Sequence, residues 1–459
     1  MSMPHSGKGA PARLLLRIGR QELDRLDELA SAATVTAPLD LTLGWCRSDT
    51  VIVFTLARIG GPDAGDPPGL IAGHLRLAAA GEAPVFSPAE QQEEDARAAG
   101  CPVFVSVTAG RGKDAPRRIA ARVWLAGKWH DLAAIALEGE PDAELFVGGA
   151  APGLAAPPPD RVARFTSAFG IEAYQRLRRS TVAVIGAGGT GSIAIPTLAR
   201  AGVGRLIIVD SDHVSPSNLE RMHASFPEHV AARTLKAELA CDHVARIDPE
   251  IAVEAWVGRL PQRAIVEAVA TADVVLGCTD QQSSRLALAD VARRYLVPAI
   301  DCGGLIEGAN GRVTGQIVQL VRFRPGDPCP HCRKMIDPLR VRQELMSEAE
   351  RTALRATAGS APPPEAADIP QIDTVGYITT VSGTLAAGYA IGWLTGRFDP
   401  PFERMQMNLI AECLDVTNRR QAHDPACQCR ALRGMADQGA EAAPFTPPDH
   451  WPPARRLET

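Results

Sequence analysis

The sequence predicts an α/β protein: a mainly parallel β-sheet with helices on both faces, preceded by a smaller α+β domain. Three observations carry this. From Asp160 to about Cys429, short apolar runs alternate with amphipathic helical patterns. The apolar runs are near-continuous, as strands covered on both faces must be. The third is Thr181-Val-Ala-Val-Ile-Gly-Ala-Gly-Gly-Thr-Gly-Ser192, which reads as a buried strand, a glycine turn and a helix N-terminus. Such a turn aims unpaired backbone N–H groups and a helix dipole at a phosphate. Gly186, Gly188, Gly189 and Gly191 let a ligand approach the backbone. By itself the turn suits dehydrogenases, flavoproteins and ATP users alike.

The chain has 459 residues, enough for two or three domains. Its net charge of -5 is mild and no long basic run appears, so charge gives no footprint for nucleic acid. Met1 to Arg13 lacks the apolar core of a signal peptide, and a cytoplasmic location is expected. Thr374 to Gly396 is uncharged and long enough to span a bilayer. Its glycines and threonines favour a buried helix packed closely on another helix, and no membrane partner is expected. Most of the ten cysteines are scattered, but two close pairs point to metal rather than disulfides.

In chain order, residues 1–138 read as an independent α+β domain. Leu14 to Leu29 has a helical leucine pattern, and Val51 to Leu56, Val103 to Val107 and Ile119 to Leu125 read as strands. Ser87 and Glu90 form a capping-box pattern at the start of a helix. Residues 139–159, rich in Ala, Gly and Pro, read as a linker. The α/β domain, 160–432, then runs through the glycine turn and a second strand, Leu206 to Asp210. There follow a helix over Ala231 to Ile247, a strand over Ala252 to Val257 and a helix over Pro261 to Ala270. Asp273 to Gly277 is a strand, Ser283 to Tyr295 a helix and Val297 to Asp301 a strand. Val313 to Val321 and Met405 to Leu414 read as later, antiparallel strands. Residues 336–371 read as a mobile crossover loop, and the proline-rich 433–459 as a disordered tail.

Chemistry concentrates after the second strand. Asp210 ends that strand, where a carboxylate accepts hydrogen bonds from a ribose. Asp212-His-Val-Ser-Pro-Ser-Asn-Leu-Glu-Arg221 then brings Asn218 and Arg221, and Lys236 follows. Donors and cations converging there stabilise charge on a polyphosphate during displacement. A dehydrogenase has no need of them. Gly277-Cys-Thr-Asp280 ends an apolar strand, and a carboxylate at that position is well placed to hold Mg²⁺ beside phosphates. Cys329-Pro-His-Cys332 and Cys427-Gln-Cys429 form a Cys₄ set suited to structural Zn²⁺, with His331 or His423 as substitute ligands.

The ordered set of glycine turn, strand-end Asp, Ser-Asn-Leu-Glu-Arg, Lys, Cys-Thr-Asp and two cysteine pairs resembles the ThiF/MoeB/HesA family. These are bacterial relatives of ubiquitin-activating enzymes with a Rossmann-like adenylation domain. The resemblance implies ATP-dependent adenylation of the C-terminal glycine of a ubiquitin-like protein. It implies that Asp210 holds the ribose, that Asn218, Arg221 and Lys236 contact the phosphates, and that Asp280 holds Mg²⁺. Arg161 and Arg164 match the family's arginine-containing segment before the first strand. One of them, Arg164 by preference, is expected to reach the site of the other protomer of a homodimer. Gln281 stands where the family usually has Asn, and Cys-x-Cys where it usually has Cys-x-x-Cys.

Relatives that pass their cargo to a thiol often carry a cysteine before the helix matching Gly376 to Leu394; here Ile372 to Gly376 has none. Cys302 and Cys413 are the outside candidates, so the expectation is direct hand-off of the acyl-adenylate. The small residues Ser382, Gly383, Ala386 and Ala387 allow close helix packing at such a dimer interface. In the N-terminal domain, His74-Leu-Arg76 followed by Ser87-Pro-Ala-Glu90 is similar to the His-x-His and Ser-x-x-Asp pattern of JAB/MPN metalloproteases. Arg76 and Glu90 replace two ligands, so metal hydrolysis is not expected. An unrelated recognition domain stands as the equal alternative.

Within the adenylation reading, a conjugation system with an E2-like partner competes with sulfur transfer for thiamine or molybdopterin. The added N-terminal domain and long crossover favour conjugation. An NAD- or flavin-dependent oxidoreductase and a non-enzymatic binding module are weaker readings, opposed by the intact polar set.

Overall fold

The computed structural model describes residues 13–31, 37–47, 51–61, 63, 66–78, 86, 88–111, 117–138, 144–146, 157–357, 363–367, 374–410, 421–438 and 444–458. They divide into two compact units, which are not consecutive in sequence. The first draws on 1–157, 293–296 and 430–442, and the second on 158–292, 297–429 and 443–459.

In the first unit the chain runs β1 (Arg13–Ile18), α1 (Arg20–Ser31), β2 (Leu39–Arg47), β3 (Val51–Ile59), β4 (Ile71–Leu77) and α2 (Pro88–Ala98). It continues with β5 (Val103–Arg111), β6 (Arg117–Leu125), β7 (Lys128–Asp131), β8 (Ala134–Leu137) and β9 (Glu144–Phe146). One mixed sheet results, in the order β7-β6-β5-β4-β2-β3-β1-β8, with β9 against β6. The expected helix from Leu14 is half strand. Leu14, Leu16 and Ile18 alternate inward with period two, whereas Leu23 and Leu26 keep helical spacing after Gly19. Ser87 lies outside the described residues. Glu144–Phe146 adds a strand inside the expected linker.

The second unit carries α3 (Ala163–Phe169), α4 (Ile171–Arg179), β10 (Thr181–Ile185), α5 (Gly191–Ala201), β11 (Arg205–Val209), α6 (Pro227–Ala231), α7 (Lys236–Ile247) and β12 (Ala252–Val257). Then follow α8 (Arg263–Val269), β13 (Val274–Gly277), α9 (Gln282–Arg294), β14 (Ala299–Ala309) and β15 (Arg312–Phe323). The last elements are α10 (Pro338–Leu345), α11 (Glu348–Thr357), α12 (Gly376–Thr395), β16 (Arg404–Asn408) and β17 (Arg455–Arg456). The sheet order is β16-β15-β14-β13-β10-β11-β12-β17. β14-β13-β10-β11-β12 are parallel, and β15, β16 and β17 are antiparallel additions.

Both faces of this sheet are covered. β10 is buried at all its positions. Val182 and Val184 join a core with Leu198 of α5, Val244 of α7 and Ala387 of α12. On the other face, Gly277 of β13 lies against Leu288 of α9. α12 packs on α5, as its small residues require. A Cβ on Gly383 would stand 2.3 Å from the Thr190 carbonyl oxygen. Ser382, Ala386 and Ala387 are buried within the chain, so they are not the exposed dimer face that their pattern allows. Among the described residues no helix is long and apolar enough to cross a membrane.

Three further expectations are corrected. The helix expected from Ala231 starts at Lys236, because Arg233 takes a left-handed φ of 52° and Leu235 is extended. The crossover expected as a loop contains α10 and α11. Asp337 caps α10 by accepting from Leu339 N–H at 2.9 Å, and Glu344 of α10 accepts from Gln282 and Ser283 N–H at 3.1 and 2.8 Å. The segment expected as a disordered tail is structured where described. Ala436 bridges Trp45, and β17 pairs with Trp256 and Val257.

Candidate functional site

Sheet order reverses at β10 and β13: β11 and β12 lie to one side, β14 to the other. In open α/β sheets such a switch point opens a crevice outside the strands' carboxyl ends. Here a cavity of about 580 Å³ lies at that place, within the size range of small-molecule sites. Gly186, Gly188, Gly189, Asp210, Asn218, Arg221, Lys236 and Asp280 all line it. Gly191 and Arg164 do not.

The glycine turn is dictated by close approach. Gly186 has φ of 97°, and a Cβ there would lie 2.6 Å from the Cys278 carbonyl oxygen. A Cβ on Gly191 would lie 1.9 Å from the Gly186 oxygen, so Gly191 closes the turn rather than facing a ligand. Gly188 faces open space.

Asp210 holds this turn to the end of β11. One carboxylate oxygen accepts from Ala187 N–H at 2.7 Å, the other from Asp212 N–H at 2.8 Å. Burial pushes the Asp210 carboxyl above its usual range, against the pull of Lys236. Lys236, at the start of α7, pairs with Asp212 at 2.9 Å. Burial alone would raise Asp212; Lys236, then Arg259, outweigh it and hold that carboxyl low. Asn218 accepts from Ser215 N–H at 3.0 Å and fixes the short turn. Arg221 donates to Ser217 carbonyl oxygen at 3.0 Å, leaving the rest of its guanidinium toward the cavity. Asp280 is exposed just beyond β13.

Sequence reasoning missed Arg259, which follows β12 and lines the same cavity. Its Nε donates to Ser211 Oγ at 2.8 Å, and it lies 3.7 Å from Asp212. The signal available was a cation beyond the third parallel strand. It also missed Arg285, paired at 3.1 Å with the buried Asp301. Arg161 is committed to Asp248. Arg164 is exposed, away from the cavity of its own chain.

Cys278 and Cys302 line the cavity with sulfurs 3.6 Å apart. The hydrogen bond with Cys278 and burial push the Cys302 thiol well up, which makes it a poor nucleophile. Cys413 lies outside the described residues.

The four paired cysteines converge. Cys329 Sγ is 3.7 Å from Cys332 and 3.6 Å from Cys427, and Cys332 is 3.8 Å from Cys429. A tetrahedral ion with Zn–S bonds of about 2.3 Å has edges near 3.8 Å, so this donor set fits Zn²⁺. All the sulfurs lie within 4.8 Å of one another. Neither histidine is needed, and His423 sits outside the set, 3.5 Å from Cys429 Sγ. The short Cys-x-Cys spacing works because Cys429 enters a 3₁₀ turn at Gln428–Leu432.

In the first unit, His74 is buried, 3.3 Å from Asp40 and in contact with Arg97. Arg76 pairs with Glu90, Glu93 and Glu94 at 3.7, 2.8 and 3.3 Å. Arg76, at the position where the metal pattern would have a histidine, is thus engaged by acidic side chains.

A doubly covered, mainly parallel sheet with a polar crevice at its switch point defines a Rossmann-like class of α/β domain. The ThiF family model matches residues 160–431, and the chain belongs to the ThiF family. It is 39% identical over 163 residues to "SAMP-activating enzyme E1" of Haloferax volcanii, covering 36% of this chain and 56% of that protein. It is 36% identical over 164 residues to "Molybdopterin-synthase adenylyltransferase" of Salmonella typhimurium, covering 36% of this chain and 62% of that one. The chain therefore spans less than two thirds of the length of these relatives. A crystal structure of E. coli MccB aligns at 17% identity and TM-score 0.46, covering 60% of this chain and 75% of that one.

Proposed function

We propose that this protein adenylates the C-terminal glycine of a ubiquitin-like protein with ATP, as the activating enzyme of a ubiquitin-like conjugation system. The observation that carries this reading is the convergence of Asp210, Asn218, Arg221, Lys236 and Asp280 on one cavity behind the glycine turn. In this reading a glycine carboxylate oxygen forms a bond to the α-phosphorus, and the bond to pyrophosphate breaks with its electrons leaving on that group. The protein does no covalent work. It aligns the reactants and stabilises charge that develops on phosphate oxygens. Asp210 accepts from the ribose hydroxyls through its free lone pairs. Asn218, Arg221 and Lys236 meet the phosphates, Lys236 turning from Asp212 to do so. Asp280 is exposed and unburdened, as a carboxylate that takes Mg²⁺ must be; the ion would offset the charge of the leaving pyrophosphate. Arg164, exposed and outside its own cavity, acts from the other protomer of a homodimer. The Cys₄ set holds Zn²⁺ structurally.

A second reading is adenylation of a sulfur carrier, favoured by the similarity to a molybdopterin-synthase adenylyltransferase. The extra first unit and the helical crossover support conjugation, with an E2-like acceptor, in the cytoplasm. The test is ATP–pyrophosphate exchange against carriers ending in glycine. Exchange that depends on the terminal glycine is expected. No exchange with any such carrier, together with activity on a small carboxylate, would overturn the reading.

A further inference from the structure

We propose that Trp451, carried on the segment Trp451–Leu457 that buttresses the edge of β12, positions Arg259 as a contact for the bound nucleotide. The inference rests on the ATP reading above and assigns residues that reading does not use.

Arg259 lies at the carboxyl end of β12, on the cavity wall that also carries Asp210 and Ser211. A flexible cation at a strand end would sample many rotamers. This one is fixed. Its Nε donates to Ser211 Oγ at 2.8 Å, and its guanidinium carbon stands 5.6 Å from the centre of the Trp451 ring. A guanidinium over an indole is attracted by the ring's negative face. Its Nη2 lies 3.7 Å from Asp212, so the fork faces the polar side of the cavity.

The backbone explains why Trp451 is there. Arg455 and Arg456 pair antiparallel with Val257 and Trp256, and Leu457 N–H donates to Ala255 carbonyl oxygen at 2.8 Å. Gln262 Nε2 donates to Pro452 carbonyl oxygen at 2.7 Å. Gly258 leaves room for Ala454, since a Cβ there would stand 3.0 Å from the Ala454 methyl. The segment thus caps the sheet edge next to the strand end that carries Arg259. A guanidinium so fixed, on the wall shared with the ribose-binding Asp210, suits a planar base or a phosphate oxygen of an adenine nucleotide.

The test is equilibrium binding of ATP to the full chain, with steady-state kinetics. Trp451→Ala should weaken ATP binding roughly three- to tenfold, the size of a partly exposed cation–π contact. KM for ATP should rise with kcat held, the signature of lost uniform binding. Trp451→Phe should recover part of the affinity. Arg259→Gln should give a similar loss, and the double variant should be no worse than Arg259→Gln alone. An unchanged zinc content and thermal transition in Trp451→Ala would show that the loss is local. Wild-type ATP affinity in Trp451→Ala, or strict additivity with Arg259→Gln, overturns the inference. Absence of ATP binding by the unaltered protein would instead overturn the nucleotide reading itself.

Discussion

Replacing Asp210 by Asn changes one atom, yet it should cost the fold more than removing charge from Asp280. The Asp210 carboxylate accepts two backbone N–H groups, from Ala187 at 2.7 Å and Asp212 at 2.8 Å. An amide keeps one acceptor and turns a donor toward the other N–H. One buried backbone donor is then orphaned, a loss of about 1–3 kcal/mol. Burial already disfavours the charged carboxyl, which offsets part of that loss, so about 1–2 kcal/mol is expected. In melting temperature this is about 2–4 °C for each kcal/mol. Asp280 is exposed, and Asp280→Asn should stay within about 0.5 kcal/mol of the parent. Its effect should fall on chemistry, with pyrophosphate exchange lower by ~10²–10³. Thermal denaturation and exchange assays on both variants separate the roles. Equal stability of Asp210→Asn and the parent, or unchanged exchange in Asp280→Asn, would refute the division between them.

The Cys₄ set should bind one zinc per chain by elemental analysis, and Cys329→Ser should lose it together with several degrees of thermal stability. Gly383→Ala forces a methyl to within 2.3 Å of the Thr190 oxygen. Pushing α12 off α5 should cost about 1–3 kcal/mol in denaturant titrations. His74 has its pKa lowered, first by burial and then by Arg97. The folded state therefore disfavours its proton, and stability present above pH ~6.5 should decline as pH falls below it. His74→Gln should flatten that slope in urea midpoints measured between pH ~7.5 and ~5.5.

What the sequence made legible follows from the geometry of parallel sheets. Ligand-facing residues cluster at strand carboxyl ends, so Asp210 and Asp280 stand out once the apolar strands are marked. Asn218, Arg221 and Lys236 stand out as a donor and two cations close after the second strand, and all three line the cavity. Leu14 to Ile18 misled because leucine spacing there satisfies both a helical and a strand period. The crossover misled because its composition is polar, while its helices are held by a few contacts such as Glu344 on the N-terminus of α9. Ser382 and Gly383 mark a close helix contact, but a stripe of small residues does not say whether the neighbour is in the same chain. Arg259 stayed hidden because its partners, Ser211 and Trp451, come from segments distant in sequence.

The first unit also has a consequence for the order of events during synthesis. Its buried Glu22 is paired with Arg433, Thr55 Oγ1 donates to Gly434 carbonyl oxygen at 2.6 Å, and Trp45 N–H donates to Gln438 Oε1 at 2.8 Å. Gly44 has no Cβ because Met435 backbone lies where one would be. Domains generally fold as the chain emerges, N-terminal first. Here the first unit to leave the ribosome lacks its last layer until residues 430–438 have been made. Residues 430–438 must be made before the first unit is finished.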